Sequence, residues 1–438
     1  MAIERLEQRR VLSSAPLAQP VFGATLSYVA PAVAVGPLGG VQATLDLVDT
    51  GGGSLLLRLR EGSTVLASRP LDQNVQVVFT GATGSDSLTV NLGYDPFGTI
   101  PQSFPAWAIK VDFDGGTDVP LLSNDQVTIQ SSGAVTYATA GLFVASTDDV
   151  QVGGSLTSVG NIDIQSAEQV QVLAGATVAA RDLRLAAVAT STGGIAGTDI
   201  AADAITAVSV KNATLTGRNI FIDATSTVTL DSAAKSLFGG DVRLGGVVSS
   251  CGADVSISSS TITATGTIDV AATSSVSSKL SSAPDDNSTQ SDGDAAVAVT
   301  KITSTAFTRV DGTSTLSAVN ALTLASTNTV DSVTRADGGA GASAGSATGG
   351  TLAVTTIAGD TVTEIAGTAS LSGSAISVAA TSDRTVQTTA KSTQGGAKDG
   401  GANPSSGQKA LDEEDAKTSD GGMQLAAAVA ITKVKGDA

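Results

Sequence analysis

The feature that most constrains this chain is a three-residue pattern, aliphatic-x-aliphatic, that returns along most of its length. The copies are Leu142-Phe143-Val144, Ile162-Asp163-Ile164, Leu183-Arg184-Leu185, Ile220-Phe221-Ile222, Ile268-Asp269-Val270, Leu322-Thr323-Leu324 and Ile376-Ser377-Val378. The outer positions are always aliphatic, while the middle one accepts phenylalanine, aspartate, arginine, threonine or serine. Side chains alternate across a strand with a period of two, so the pattern describes a strand with one face in a core and one in water. The first copies start 20 and 21 residues apart, which is the length of one turn of a stacked-strand repeat. The later spacings of 48 and 54 residues read as two such turns plus a loop.

A second valine follows at a fixed distance. Val144 leads to Val150, Ile164 to Val170, Ile222 to Val228, Val270 to Val276 and Leu324 to Val330, each six residues on. The interval holds mostly Ala, Ser, Thr and Asp, so the expected unit is strand, corner, strand. A longer unit repeats at 55 residues: Val297-Ala298-Val299-Thr300-Lys301-Ile302 realigns with Leu352-Ala353-Val354-Thr355-Thr356-Ile357. Gly312 then matches Gly367, and Leu316 matches Leu371. A third start at Val429-Ala430-Ile431 lies close to Ala438 and reads as the opening of a further copy in a longer array. The predicted class is all-β. Residues 125–438 are expected to form a right-handed parallel β-helix, or solenoid, in which stacking completes a core that no single turn can close.

Residues 21–124 read as a small β-rich capping region of half-buried antiparallel strands, such as Leu55–Arg60, Val75–Phe79 and Ile109–Phe113. Three Gly/Ser/Asp-rich stretches, Ser281 to Asp294, Asp337 to Gly350 and Lys391 to Gly422, are expected as loops because they hold little to bury.

Composition narrows the function. The chain has 438 residues, 24 basic against 41 acidic, and a net charge of −17. A polyanion such as nucleic acid would be repelled, and so would an anionic membrane surface. Histidine is absent, which removes the commonest general base, Ser-His pairs and most zinc sites. The single cysteine, Cys251, cannot form an internal disulfide and reads as a small buried thiol. No apolar run reaches membrane-spanning length. The run from Val21 to Leu38 is broken by Pro31 and Pro37 and makes a poor secretory signal.

Leu6-Glu7-Gln8-Arg9-Arg10-Val11-Leu12 resembles the short N-terminal motif of LEPR-XLL domain proteins, which are very large, repetitive, secreted bacterial proteins. Leu6, Glu7, Arg9 and Leu12 match the motif; Gln8 stands where proline is usual, and Val11 replaces a leucine. The resemblance implies a targeting or processing role for residues 1–20. The repeat style is also similar to that of filamentous-haemagglutinin-like adhesins, which implies a rod at the cell exterior.

Gly81-Ala82-Thr83-Gly84-Ser85-Asp86-Ser87-Leu88-Thr89 resembles the calcium-binding nonapeptide G-G-x-G-x-D-x-aliphatic-x, with Ala82 in place of the second glycine. One reading gives Gly81, Gly84 and Asp86 a Ca²⁺ ion, completed by a stacked neighbouring turn. The plainer reading is a Gly-Asp turn between two strands. Asp114-Gly115-Gly116-Thr117-Asp118 is a fragment of a second such turn, and the acidic run Asp412–Asp415 reads as a solvated loop.

Parallel β-helices also carry polysaccharide-cleaving enzymes, whose sites are clustered carboxylates on consecutive turns. The outward column here, Phe143, Asp163, Arg184, Phe221, Asp269, Thr323 and Ser377, pairs at most Asp163 with Arg184. A surface ion pair is the simpler reading. The sequence therefore predicts a non-enzymatic, secreted structural or adhesive protein with no catalytic residues. Its expected partners are cell-surface or extracellular matrix components, glycans among them. A polysaccharide-active enzyme and a calcium-stabilised module are the alternatives.

Overall fold

The structure is a computed structural model that describes residues 16–30, 40–51, 54–82, 85–92, 107–116, 125–130, 139–193, 199–233, 235–237, 242–282, 295–340, 347–394 and 424–436. Among the described residues the chain is all-β, with no helix. The strands form one sheet of 15 and one of 14. The 15-stranded sheet has two arms that share the strand Ser155–Ser166. We call its long-stranded arm sheet A, the 14-stranded sheet B, and the arm of three- and four-residue strands sheet C. From Thr177 onward the chain visits C, A and B in turn, and each round adds a parallel strand to each; sheet B also takes the short antiparallel Lys235–Leu237 and the short parallel Thr361–Ile365.

The recurring aliphatic pairs line up as the sequence predicts. In sheet A, Leu142, Ile162, Leu183, Ile220, Ile268, Leu322 and Ile376 are paired neighbours in one column. The first six are buried. Sheet B supplies Leu45, Val90, Ile129, Val152, Val172, Val210, Ile257 and Val310 in a facing column. Sheet C supplies Leu156, Val178, Leu215, Ile262, Leu316 and Leu371. Nearly all of these belong to one continuous apolar cluster. Each buried aliphatic contributes roughly 1.5–3 kcal/mol relative to exposure, which no isolated tier could collect. The 55-residue repeat is likewise in register: Val297 pairs with Leu352, and Leu352 with Val429. Gly312 and Gly367 both occupy the left-handed region that favours glycine (φ 66° and 70°).

Four expectations change. First, residues 21–124 are not a separate antiparallel unit. Ala24–Val29, Val75–Thr80 and Ala108–Asp114 pair in parallel and continue into sheet A, while Ser87–Asn91 and Gln126–Ile129 continue into sheet B. Among the described residues of this region, antiparallel pairing is confined to Leu55–Glu61 with its two neighbours, Gln42–Asp49 and Thr64–Pro70, joined by tight turns at Gly51 and Gly62. This meander covers its end of sheet B, with Leu57 and Leu59 fully buried.

Second, the 48- and 54-residue intervals are single tiers, because Ile220, Ile268 and Leu322 are direct neighbours. The strands lengthen instead, to 15 residues in Ile268–Ser282 and 20 in Ala321–Ala340.

Third, the expected corner exists only in the early tiers. Ser146 and Ser166 each accept the backbone N–H two residues on, from Asp148 (3.1 Å) and Glu168 (2.9 Å), which turns the chain. Their column continues as Ala187, Ala224, Ala272 and Ser326. The three alanines cannot make this turn bond, Ser326 spends its hydroxyl on the Val362 carbonyl (2.6 Å) instead, and in all four tiers the strand runs straight on.

Fourth, parts of the expected loops are strand: Asp337–Ala340 pairs with Lys391–Gln394. Residues 283–294, 341–346 and 395–423 lie outside the described residues.

Beyond the former corner, sheets A and B face each other across a second core that includes Val228, Leu230, Val276, Leu280, Ala298 and Ile302. A buried polar seam separates the two cores. Thr206 bonds Ser226 (2.9 Å), Ser274 bonds Ser304 (2.8 Å), and Ser304 donates to Asn328 Oδ1 (2.7 Å). Asn328 Nδ2 returns a bond to the Ser304 carbonyl (2.7 Å). Asn328→Ala removes both bonds from buried Ser304 and is expected to cost about 2–3 kcal/mol in urea unfolding. A cost below ~0.5 kcal/mol would show that the seam does not fix the two sheets.

Candidate functional site

The predicted calcium turn is built around backbone donors. Asp86 is buried, and its carboxylate accepts the N–H of Val41 (2.5 Å) and of Ala82 (2.9 Å). Asp125, one tier on, accepts the N–H of Asp86 (2.6 Å). Asp148 accepts the N–H of Gly115 (3.3 Å). Successive carboxylates thus tie each corner to the one before it. A Cβ on Gly81 would overlap the Gly115 carbonyl and the Asp86 carboxylate, so glycine is required for this close approach. Gly81 and Asp86 are therefore brought together, while Gly84, Thr117, Asp118 and Asp412–Asp415 lie outside the described residues. Among the described residues no three Cys, Asp or Glu side chains group as a metal site.

Asp163 and Arg184 are neighbours in sheet A, as expected, but their ion pair is not at the surface. Arg184 Nη1 lies 3.2 Å from Asp163, and its Nε lies 3.7 Å from Asp223. All three side chains are at most 5% exposed. The cover is the N-terminal segment, which crosses the outer face of sheet A. Leu17 N–H donates to Asp163 (2.9 Å), and Asn161 donates to the Ala18 carbonyl (3.3 Å). Phe22 meets Phe143 edge-on at 6.0 Å. Burial raises the Asp163 carboxyl above its ordinary value, with Arg184 and the Leu17 N–H pulling it back. Burial also raises Asp269 in the same column. The segment with residues 6–12 precedes this arm and lies outside the described residues.

The outer face of sheet A beyond this cluster carries a feature that was not singled out from the sequence. Val188, Thr225, Thr273, Thr327 and Thr381 form one outward column. Thr190, Thr227, Ser275, Thr329 and Asp383 form the next, and Thr192, Thr229, Ser277, Asp331 and Thr385 the third. The columns stand two residues apart on strands about 4.8 Å apart, so hydroxyls repeat in two directions. The run Thr225-x-Thr227-x-Thr229 is the sequence signal that points to it.

A shallow groove of about 470 Å³ runs beside the early corners, lined by Val78, Thr80, Asp112, Asp114, Gln165 and Val188 among others. Its Asp112 is already engaged by Gln76 (2.6 Å) and Lys110 (3.0 Å). Cys251 is buried, donates its thiol to the Ser226 carbonyl (3.3 Å), and has a pKa pushed up by burial. A thiol reagent at neutral pH is therefore expected to label Cys251 only after unfolding; rapid labelling of the native chain would contradict that burial. No helix among the described residues is long and apolar enough to cross a membrane. Comparison with protein-family models, with curated proteins and with solved structures finds no match.

Proposed function

We propose that the chain is a non-enzymatic structural and adhesive protein of the cell exterior. Sheets A, B and C are the walls of a right-handed parallel β-helix, and the protein is a stiff rod. The observation that carries this reading is the in-register outer face of sheet A, where the same hydroxyl positions recur from tier to tier. Such a face makes many weak, equivalent contacts, and their number supplies the avidity. Glycan-bearing surface or matrix components fit it, because hydroxyls both donate and accept. The N-terminal likeness to LEPR-XLL proteins supports the same setting.

The test is solid-phase binding of the purified chain to acidic and neutral polysaccharides, run beside a reducing-sugar assay. The reading expects retention that falls when Thr227, Thr229 and Thr329 are replaced together by alanine, with no sugar released. Release of reducing ends would replace it with an enzyme, and binding unchanged in the triple variant would move the contact off this face.

A further inference from the structure

The outer face of sheet B is built differently from that of sheet A. Leu244, Val297, Leu352 and Val429 form one outward column, and Gly246, Val299, Val354 and Ile431 form the next. Leu244, Val299, Val429 and Ile431 are 37–49% exposed, and Val248 beside them is also exposed. The inward positions between these residues are small apart from buried Arg243: Gly245, Ala298, Ala353 and Ala430 in one column, and Ala296, Thr351 and Ala428 beyond Arg243 in another. The usual alternation is inverted here. Sheet A supplies bulky inward side chains to this part of the core, Leu230, Val276 and Leu280 among them, while sheet B turns small ones inward in these two columns and its aliphatics outward. Single exposed aliphatics are ordinary, but a contiguous ladder over four tiers marks an interaction surface.

We infer that this face is the interface of a two-fold dimer with a second copy of the chain. The charges at its margin select that occupant. One outward column reads Asp203, Ser250, Thr303, Ala358 and Lys435 from tier to tier. A two-fold axis running along the central strand, Ala295–Asp311, reverses the order of tiers in the facing copy. Asp203 then stands over Lys435 of the second copy, and Lys435 over its Asp203, while farther along the strands Leu244 faces Leu352 and Val297 and Val299 each face their own counterpart. An isologous contact requires this self-complementarity. The two Lys301 side chains approach the axis, and their long stems let the ammonium groups turn outward to water. From strand rise and spacing, the face between the Leu244 and Asp203 columns measures about 20 Å by about 20 Å, a small interface beside the roughly 800 Å² per partner of a standard one, so the dimer is expected to be weak.

Sedimentation velocity of the 438-residue chain over about a hundredfold range of concentration tests this. The expected species is a dimer. Val299→Lys with Val354→Lys, both at outward positions, is expected to give monomers with unchanged circular dichroism and melting. Asp203→Lys alone and Lys435→Asp alone should each weaken the dimer about tenfold, and the two together should restore it. A monomeric parent chain overturns the inference, whether the patch is bare or shielded by residues 283–294, 341–346 or 395–423. Association indifferent to the lysine pair, as end-to-end pairing through the outermost strands would be, also overturns it. So does failure of the charge swap to restore binding.

Discussion

Arg184→Ala is expected to lower the unfolding free energy by about 3–5 kcal/mol at neutral pH. The arginine lies between Asp163 and Asp223, and none of the three has appreciable contact with water. Removing the guanidinium withdraws the cation from two buried carboxylates, which costs far more than losing a surface pair. The pH dependence distinguishes this from a simple loss of packing. The Asp163 carboxyl is raised above its ordinary 3.8, chiefly by burial. Its protonated form is therefore favoured by folding. The stability linked to it is complete below about pH 3.8 and is lost as pH rises through the raised value. Arg184 opposes that rise, so the alanine variant moves the carboxyl higher still. Its deficit should be largest near neutrality and should shrink on acidification. Urea unfolding at neutral pH and near pH 4 measures this; a deficit under ~1 kcal/mol, or one that widens in acid, would sink the account. Combining Arg184→Met with Asp163→Asn and Asp223→Asn should recover most of the loss, because no charge then remains buried in the triad.

Ile220→Ala should cost about 2–5 kcal/mol, while Thr229→Ala on the same strand should stay within about 0.5 kcal/mol. Ile220 is packed between Leu183 and Ile268 in the sheet A column, and all three are buried. Thr229 points outward between Thr192 and Ser277. Stacked repeats are held by neighbour-to-neighbour interfaces, so hydrogen exchange should accelerate first in the strands holding Leu183, Ile220 and Ile268. Equal costs for the two substitutions would refute the assignment of inward and outward faces.

Much of the fold was legible because a period of two is a local property. The aliphatic pairs from Leu142 to Val378 announce both the strand and its buried face, and the 55-residue repeat announces the register of Val297 with Leu352. The corners were less legible. The six-residue step from Ile164 to Val170 and from Ile222 to Val228 is the same in sequence, yet the first bends and the second does not. Ser166 holds its turn by accepting the Glu168 N–H, which Ala224 cannot do, but Ser326 in the same column donates to Val362 instead and its strand runs straight, so the surrounding sheets decide as well as the hydroxyl. The seam partners Ser304 and Asn328 were also hidden, since serine and asparagine in a strand read as solvent-facing until the opposite sheet is in place.

The candidate sites divide in the same way. Asp86 and Gly81 could be singled out because their spacing is short, but their task of accepting and making room for backbone of other tiers needed the stack. Asp163 beside Arg184 followed from counting tiers; its burial did not, because the covering Leu17 is 146 residues away. By itself the sequence determined which residues are strands and which of them share a column, since both follow from alternation and spacing. Only the tertiary structure decided what lies against each column. Sheet separation sets whether small or large side chains face inward, and the path of the N-terminal arm sets whether a charge meets water.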